Sequence, residues 1–525
     1  MPDGMNPFGE PDGAKPDFKD LRRTFVEFDD ERAWGGLATR PSDLSARVLV
    51  GRKGSGKTLY LRRQRDSAAQ SDDLFAARRE QSPPDTELIL KFANTTKGHE
   101  RTELWKLVWN RAILRATLSH LLAEDSLRAQ LDPRLANSLL QDYRELFEQE
   151  DPSHHTLGVF SELKHFLQRD RTFHDIDRYL HSDKWAHLKE DLKTAFRQSR
   201  PVCFYLDAVD EYYEAAPRLW LECQVGLFLA VMELLRDERF SSRLHVFVCL
   251  RDAVILRVLR SEHSTRYVNE RYVRILEWDY KATRILLEHK IGQLPTELLT
   301  KPGLQNPVER WLGQSDRFVE TRGQSEAITQ YLLRHTRLLP RDVIIQGNIL
   351  CHELAIAGWF PDLSDGADPI REGVSAASSR FGRELLDRCA QHILADMMPE
   401  DAAQRGYSST YLQKAAGLHE DVLTKLRTFL AEDVKVERFS NRRLVQLEIR
   451  AAATFASDTD VMSALWLNGL IGFVDSAKSG CGVFYSHRHA HDLFLPKGKK
   501  EFVLHSCLID SVGIRPRGGP VVQCV

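Results

Sequence analysis

The chain has 525 residues, with 73 Lys plus Arg against 75 Asp plus Glu, and is 42% hydrophobic and 28% charged. This is ordinary globular composition for about three domains, and it excludes a disordered or collagen-like chain. The formal charge of −2 argues against coating of nucleic acid through bulk charge and leaves only a local basic patch open.

No apolar run nears the ~20 residues that span a bilayer, so no membrane partner is expected. The longest run, 225–235, is interrupted by Glu233 and reads as a buried helix. The first residues lack a basic segment followed by an apolar one, so no secretory signal is expected. Eight scattered cysteines without a C-x-x-C pair suit a reducing cytoplasm.

In chain order, residues 1–20 are rich in Pro, Gly and Asp and are expected to be disordered. Residues 47–50 (RVLV) read as a strand, and LYLRRQRDSAAQ after the next loop as a helix. A second strand is expected at 87–92 (ELILKF), followed by a helical stretch over 103–197. Strands return at 202–206 (VCFYL), 244–250 (LHVFVCL) and 272–276 (YVRIL), separated by helices. That alternation predicts an α/β fold with a parallel sheet. Beyond Trp278 the pattern is mostly helical, with a loop or linker expected at 361–379.

The strongest motif is Gly51-Arg52-Lys53-Gly54-Ser55-Gly56-Lys57-Thr58, which fits G-x-x-x-x-G-K-[ST] between a strand and a helix. Glycines at 51, 54 and 56 let backbone N–H groups approach phosphate oxygens without a Cβ in the way. Lys57 supplies positive charge to the β- and γ-phosphates of ATP. Thr58 is placed to ligate Mg2+, and the helix that starts there turns its positive end to the anion. The partner carboxylate for the metal is expected at the end of a buried strand, where Asp207 stands. A plain helix cap is the alternative for that residue. Asp210 and Glu211 follow, and Ala208 occupies the place directly after Asp207. Glu211 is the expected general base, with Asp210 second. The competing reading makes both acids charges favoured by a helix dipole. Arg251, at the tip of the 244–250 strand, is a candidate to neutralise the γ-phosphate, against an ordinary surface arginine.

With GRKGSGKT, FYLDAVDE and VFVCLRD in this order, the sequence resembles the STAND-type P-loop ATPases and their AAA-like bacterial relatives. The resemblance covers about 45–345. It implies an ATP-driven switch that often oligomerises, with a helical lid and a winged-helix region beyond the core. The element His335-Thr-Arg337-Leu-Leu-Pro340-Arg341-Asp342 resembles the R-x-x-P-R-D of such proteins, and by that likeness Arg337 or Arg341 reaches the nucleotide from the lid. The sequence departs from the G-x-P common in this region, having Leu338-Leu339-Pro340 instead. Bacterial members of the wider group act in conflict with phages and mobile elements, so the resemblance extends to antiviral defence. No nuclease, protease, deaminase or NAD-cleaving motif accompanies it, which puts the effector in a partner protein.

These readings divide the chain into a P-loop core at 21–290 with a helical insertion at 95–200, a lid at 291–360 and a linker at 361–380. A helical domain at 381–455 and a winged-helix-like unit at 456–525 follow. From 432 onward there are twelve Lys and Arg against ten Asp and Glu, weak for phosphate neutralisation. Protein docking or a lid role is therefore expected before DNA binding, although Arg442, Arg443, Lys497, Lys499 and Lys500 could line a wing. His487, His489 and His491 alternate, but without a nearby Cys they read as solvated loop and not as a metal site. Trp105 and Trp109 read as helix-packing residues. The function expected is an ATP-hydrolysing switch, homo-oligomeric or coupled to a partner protein. The alternatives are a nucleotide-binding interaction module with little turnover, or a DNA-dependent ATPase.

Overall fold

The computed structural model describes residues 6–12, 47–70, 75–76, 84–143, 158–167, 172–207, 217–259, 264–267, 270, 272–319, 323–356, 368–397, 409–455, 460–475, 482–485, 495–517 and 521–523. Among them, helices of at least six residues are numbered α1 to α18 and strands β1 to β12.

Strands β1 (Val48–Val50), β2 (Phe75–Ala76), β3 (Val202–Leu206), β4 (Leu244–Leu250) and β5 (Val273–Ile275) form one all-parallel sheet, in the order β2-β3-β4-β1-β5. The mixed α/β class expected from the sequence is therefore present. Successive side chains on a strand point to opposite faces, and the sheet is covered on both. Val48, Val50, Phe204, Leu206, Val246, Val248 and Leu250 join one core, whereas Leu49, Cys203, Tyr205, Phe247 and Cys249 join another. This two-sided burial is why VCFYL and LHVFVCL read as continuous apolar runs. Their observed bounds match the expected ones.

The loop after β1 leads into α1 (Lys57–Ala69). The first core is then built by the insertion: α2 (Thr86–Thr95), α3 (Arg101–Ala123), α4 (Pro133–Asp142), α5 (Gly158–Leu167), α6 (Phe173–Leu180) and α7 (Asp183–Ala195). Here one expectation fails, because ELILKF lies within α2 and is not a strand. Asp85 caps the helix by accepting from the Leu88 amide at 2.7 Å, and Leu88, Ile89, Phe92 and Ala93 fall on its buried side. A short apolar run has no period that separates helix from strand, and the cap decided it. The strand beside β3 is instead the two-residue β2.

After β3 comes α8 (Pro217–Arg236), which packs along α3. A Cβ on Gly226 would lie 2.5 Å from the Trp105 Cβ, so only glycine permits this crossing. Arg101 grips Glu222 in a fork of 2.7 and 3.1 Å, and Trp109 Nε1 donates to the Cys223 carbonyl at 3.0 Å. Trp105 and Trp109 are core residues, as expected.

Beyond β4 the chain runs through α9 (Asp252–Leu259), β5 and α10 (Tyr280–Gly292) to α11 (Pro307–Leu312). The β6 (Asp316–Val319) and β7 (Gln324–Ala327) hairpin interrupts the helical pattern before α12 (Ile328–Arg334) and α13 (Pro340–Ile356). Two further expectations need correction. Residues 6–12 do not fit a disordered terminus: Phe8 is 1% exposed and packs against Trp311 in a tilted pair with ring centroids 4.9 Å apart. Its amide donates to Asn348 Oδ1 at 2.8 Å, and Asn348 returns a bond to the Gly9 carbonyl. A single apolar residue in a polar stretch gave no periodic signal. The second half of the expected linker is also helical, since α14 spans Pro369–Met397. Its Gly and Ser resemble turn residues but serve close packing. A Cβ on Gly373 would meet Leu350 at 2.9 Å, and one on Gly382 would meet the Cys507 carbonyl at 2.4 Å.

The C-terminal unit shares a further core with α14. Its order is α15 (Ser409–Thr428), β8 (Arg438–Ser440), α16 (Asn441–Thr454), α17 (Val461–Leu467), β9 (Ile471–Asp475), β10 (Gly482–Tyr485), β11 (Glu501–Leu504), α18 (Cys507–Val512) and β12 (Val521–Gln523). The second sheet runs β12-β10-β9-β11-β8, with β8, β11 and β9 antiparallel neighbours. The runs GVFYS at 482–486 and EFVLH at 501–505 also read as strands from the sequence, and β10 and β11 are present there. No described helix is long and apolar enough to cross a membrane.

Candidate functional site

The loop of residues 51–56 leaves the carboxyl edge of the sheet, where open α/β folds place ligands. Its entry is fixed from both neighbours: the Gly51 amide donates to the Leu250 carbonyl at 3.1 Å and the Leu276 amide to the Val50 carbonyl at 2.7 Å. Gly54 and Gly56 have φ of 90° and 93°, which an L side chain resists. A Cβ on Gly51 would lie 2.5 Å from Ser55 Oγ. Trp278, just beyond β5, clamps the far side by donating Nε1 to the Ser55 carbonyl at 3.0 Å.

Lys57 folds over this loop, its ammonium donating to the carbonyls of Gly51 (2.8 Å) and Arg52 (3.1 Å). Thr58 and Gly56 are half-buried, and the Lys53 side chain is exposed, so only its backbone is available to the loop's interior. The Ser55 hydroxyl is buried with no hydrogen-bond partner among the described residues.

Arg251 is buried at the tip of β4. The carboxylate that follows it, Asp252, collects cations from across the chain. Arg52 Nε lies 3.2 Å from one oxygen and Arg388 Nη2, from α14, lies 3.8 Å from the other. Burial by itself raises the Asp252 carboxyl, but Arg388, Arg52, Lys57 and Arg251 together pull it down to about 2. Burial brings Arg388 down to about 10, with Asp252 opposing the shift and Arg52, Arg251 and Arg337 adding to it. Arg388 Nη1 is buried without a hydrogen-bond partner among the described residues. Arg52 and Arg388 therefore share one carboxylate beside a glycine-lined loop, and the charges of Lys57 and Arg251 also act on it.

Asp207 is buried at the end of β3. Its neighbour Leu206 shares a row with Val248 and Val48, so Asp207 stands two strands from β1, about 10 Å across the sheet. Asp210 and Glu211 lie outside the described residues, as do His487, His489 and His491. Among the described residues no three His, Cys, Asp or Glu side chains gather as a metal site, so a metal there would depend on Thr58 and Asp207.

The two lid arginines have different surroundings. Arg337 is buried and held by Asp342 (Nε to Oδ2, 2.8 Å) and Glu384 (2.8 Å). Arg341 instead donates its amide to the Gly54 carbonyl at 3.3 Å and packs on that glycine. Leu338 has φ of 53°, the left-handed conformation that favours glycine, so the backbone bend is made despite the leucine.

The C-terminal unit also reaches the loop. A Cβ on Gly469, at the corner after α17, would lie 3.1 Å from Arg52 Nη1. Asn468 bonds His392, one turn beyond Arg388 on α14. In α17 every residue but Ser463 is buried, so this helix presents no surface to a DNA groove. Arg388, Trp278 and Gly469 carry no local motif, and sequence reasoning did not find them; Asp252 closes the VFVCLRD run but was assigned no role from sequence.

No family model matches the chain, and no curated protein matches it significantly.

Proposed function

We propose that the chain binds ATP at the β1–α1 loop and hydrolyses it as a molecular switch of the STAND or AAA-like kind. The observation that carries this reading is the glycine-lined loop with the Lys57 ammonium folded over it and Arg52 and Arg388 meeting on Asp252 at its mouth. The glycine cradle, the orphaned Ser55 hydroxyl and the unsatisfied Arg388 Nη1 all fit a phosphate group. In this reading Lys57 leaves the loop carbonyls for phosphate oxygens, and Arg388 Nη1 gains an acceptor. Thr58 and Asp207 hold Mg2+, which when bound offsets phosphate charge. Glu211, with Asp210 second, accepts the proton of the attacking water. Gly469, Asn468 and Arg388 carry the state of the loop to the C-terminal half. The order helix, strand, two helices and antiparallel strands there supports a winged-helix unit used as a lid. A cytoplasmic place rests on the scattered cysteines alone, and self-assembly or an effector partner and a defence role rest on the family resemblance.

The test is calorimetric titration with Mg-ATP beside phosphate-release assays. Lys57→Ala should abolish binding, whereas Glu211→Gln should bind normally and lose turnover. Wild-type binding and turnover in both variants would sink the reading. A second reading, a nucleotide-binding interaction module with little turnover, is favoured by Ala208 standing where a catalytic acid could directly follow Asp207. It predicts tight binding without phosphate release.

A further inference from the structure

A second concentration of positive charge lies in the C-terminal unit. Where the edge strand β8 meets α16, a cleft of about 510 Å3 is lined by Lys435, Arg438, Arg443, Lys500 and Arg517, with Glu501 as its one carboxylate. Five cations against one anion is a sharp local departure for a chain whose formal charge is −2. Glu501 is engaged by Arg438 at 3.4 Å. Arg443 is held by neutral acceptors, the Asp433 carbonyl at 2.6 Å and Gln446 Oε1 at 3.0 Å, so its guanidinium is positioned without losing its charge. Lys435, Lys500 and Arg517 are exposed, and their side chains have no ion-pair partner among the described residues.

Ser440, which also lines the cleft, caps α16 by accepting from the Arg443 amide at 3.4 Å. The positive end of that helix therefore opens onto the same space. Guanidinium forks and a helix N-terminus both suit the tetrahedral oxygens of phosphate. The aromatic residue of the lining, Phe439, is buried, so the cleft offers no exposed ring on which a base could stack. With α17 buried as well, that helix presents no face to a groove, and the cleft's described lining offers no stacking platform.

We propose that this cleft binds the phosphate backbone of a nucleic acid strand without reading its bases. The recognition is by charge spacing, along a polymer that carries a negative charge about every 3.4 Å of each strand. The site is separate from the β1–α1 loop and does not depend on it for binding.

The test uses the full chain and fluorescence anisotropy with a labelled single-stranded DNA of roughly 30 mixed-sequence nucleotides, the matching RNA and the duplex, at about 50 and 200 mM KCl. Wild type should bind with similar affinity across sequences and weaken steeply with salt. The triple variant K435Q/K500Q/R517Q should lose at least about tenfold in affinity and give a salt slope shallower by about two. Because the three side chains are exposed, its melting temperature should stay near wild type. Glu501→Gln, which removes the lining carboxylate, should tighten binding severalfold, and Lys57→Ala should leave it unchanged even if ATP binding is lost. The proposal is overturned if no nucleic acid binds in a salt-dependent way, or if the triple variant binds like wild type. Polyglutamate binding as tightly as DNA and displacing it would also overturn it, in favour of an acidic protein partner.

Discussion

Arg341 and Gly54 are in direct contact: the arginine amide donates to the glycine carbonyl at 3.3 Å, and a Cβ on Gly54 would lie 2.9 Å from that of Arg341. The first turn of α13 thus rests on the loop that the next strand positions, while Arg337, only four residues earlier, faces away into a pocket of acids.

The two arginines should separate cleanly on substitution. Arg337→Ala leaves Asp342, at 0% exposure, without its main counter-charge and should cost about 3–5 kcal/mol. Arg341→Ala should melt close to wild type yet bind Mg-ATP about tenfold more weakly, a loss of about 1.4 kcal/mol. Thermal melts and calorimetry on both variants check this, and equal melting temperatures would refute the assignment.

Asp252 should give the protein an acid-sensitive component of stability. Its carboxyl is held near 2 when folded, below the usual carboxylate value of 3.8. The stabilisation is therefore fully present above about pH 4 and is lost as pH falls through about 2, an effect of about 2 kcal/mol. Asp252→Asn should flatten the stability profile between about pH 4 and 2. At neutral pH it removes the carboxylate that Arg52 and Arg388 share, so added ATP should raise its melting temperature more than that of wild type. Chemical denaturation across the pH range and melts with ATP provide the two readings.

Trp278→Phe keeps most of the ring volume and removes the donor to the Ser55 carbonyl. A buried hydrogen bond of this kind is worth about 1 kcal/mol. The expected result is a small loss of stability and a several-fold loss of nucleotide affinity, because the freed carbonyl loosens the loop. An affinity equal to wild type would show that the clamp is dispensable.

Phe8→Ala should cost about 3 kcal/mol, a value typical of a buried aromatic truncated to alanine. Gly347→Val should be at least as harmful, since even a Cβ there would lie 2.3 Å from the Phe8 ring. Melting of each variant, and of the pair together, tests whether the two act on one contact. Near-additive losses in the pair would argue that they do not.

The glycine loop, β3 and β4 were legible because each is marked by a dense local signal: three glycines with a lysine, or an unbroken apolar run. The 87–92 segment was misread because ELILKF satisfies both periods, and the deciding residue, Asp85, lies outside the apolar run. Phe8 gave one apolar residue among polar neighbours, and the small residues of α14 resembled a linker until their packing partners were known. The same reason hid Arg388, Trp278 and Gly469. Each joins the loop from a distant part of the chain, and a contact of that kind leaves no spacing to read.

The touch of Gly469 on Arg52 has a consequence for biosynthesis. A ribosome releases this polypeptide from its N-terminus, and domains generally fold as they emerge. The glycine loop is made early, whereas the corner that touches it is made roughly 400 residues later. The nascent protein thus passes through a long interval with its arginine-rich mouth uncovered, and the finished pocket exists only once that distant corner has docked onto the loop.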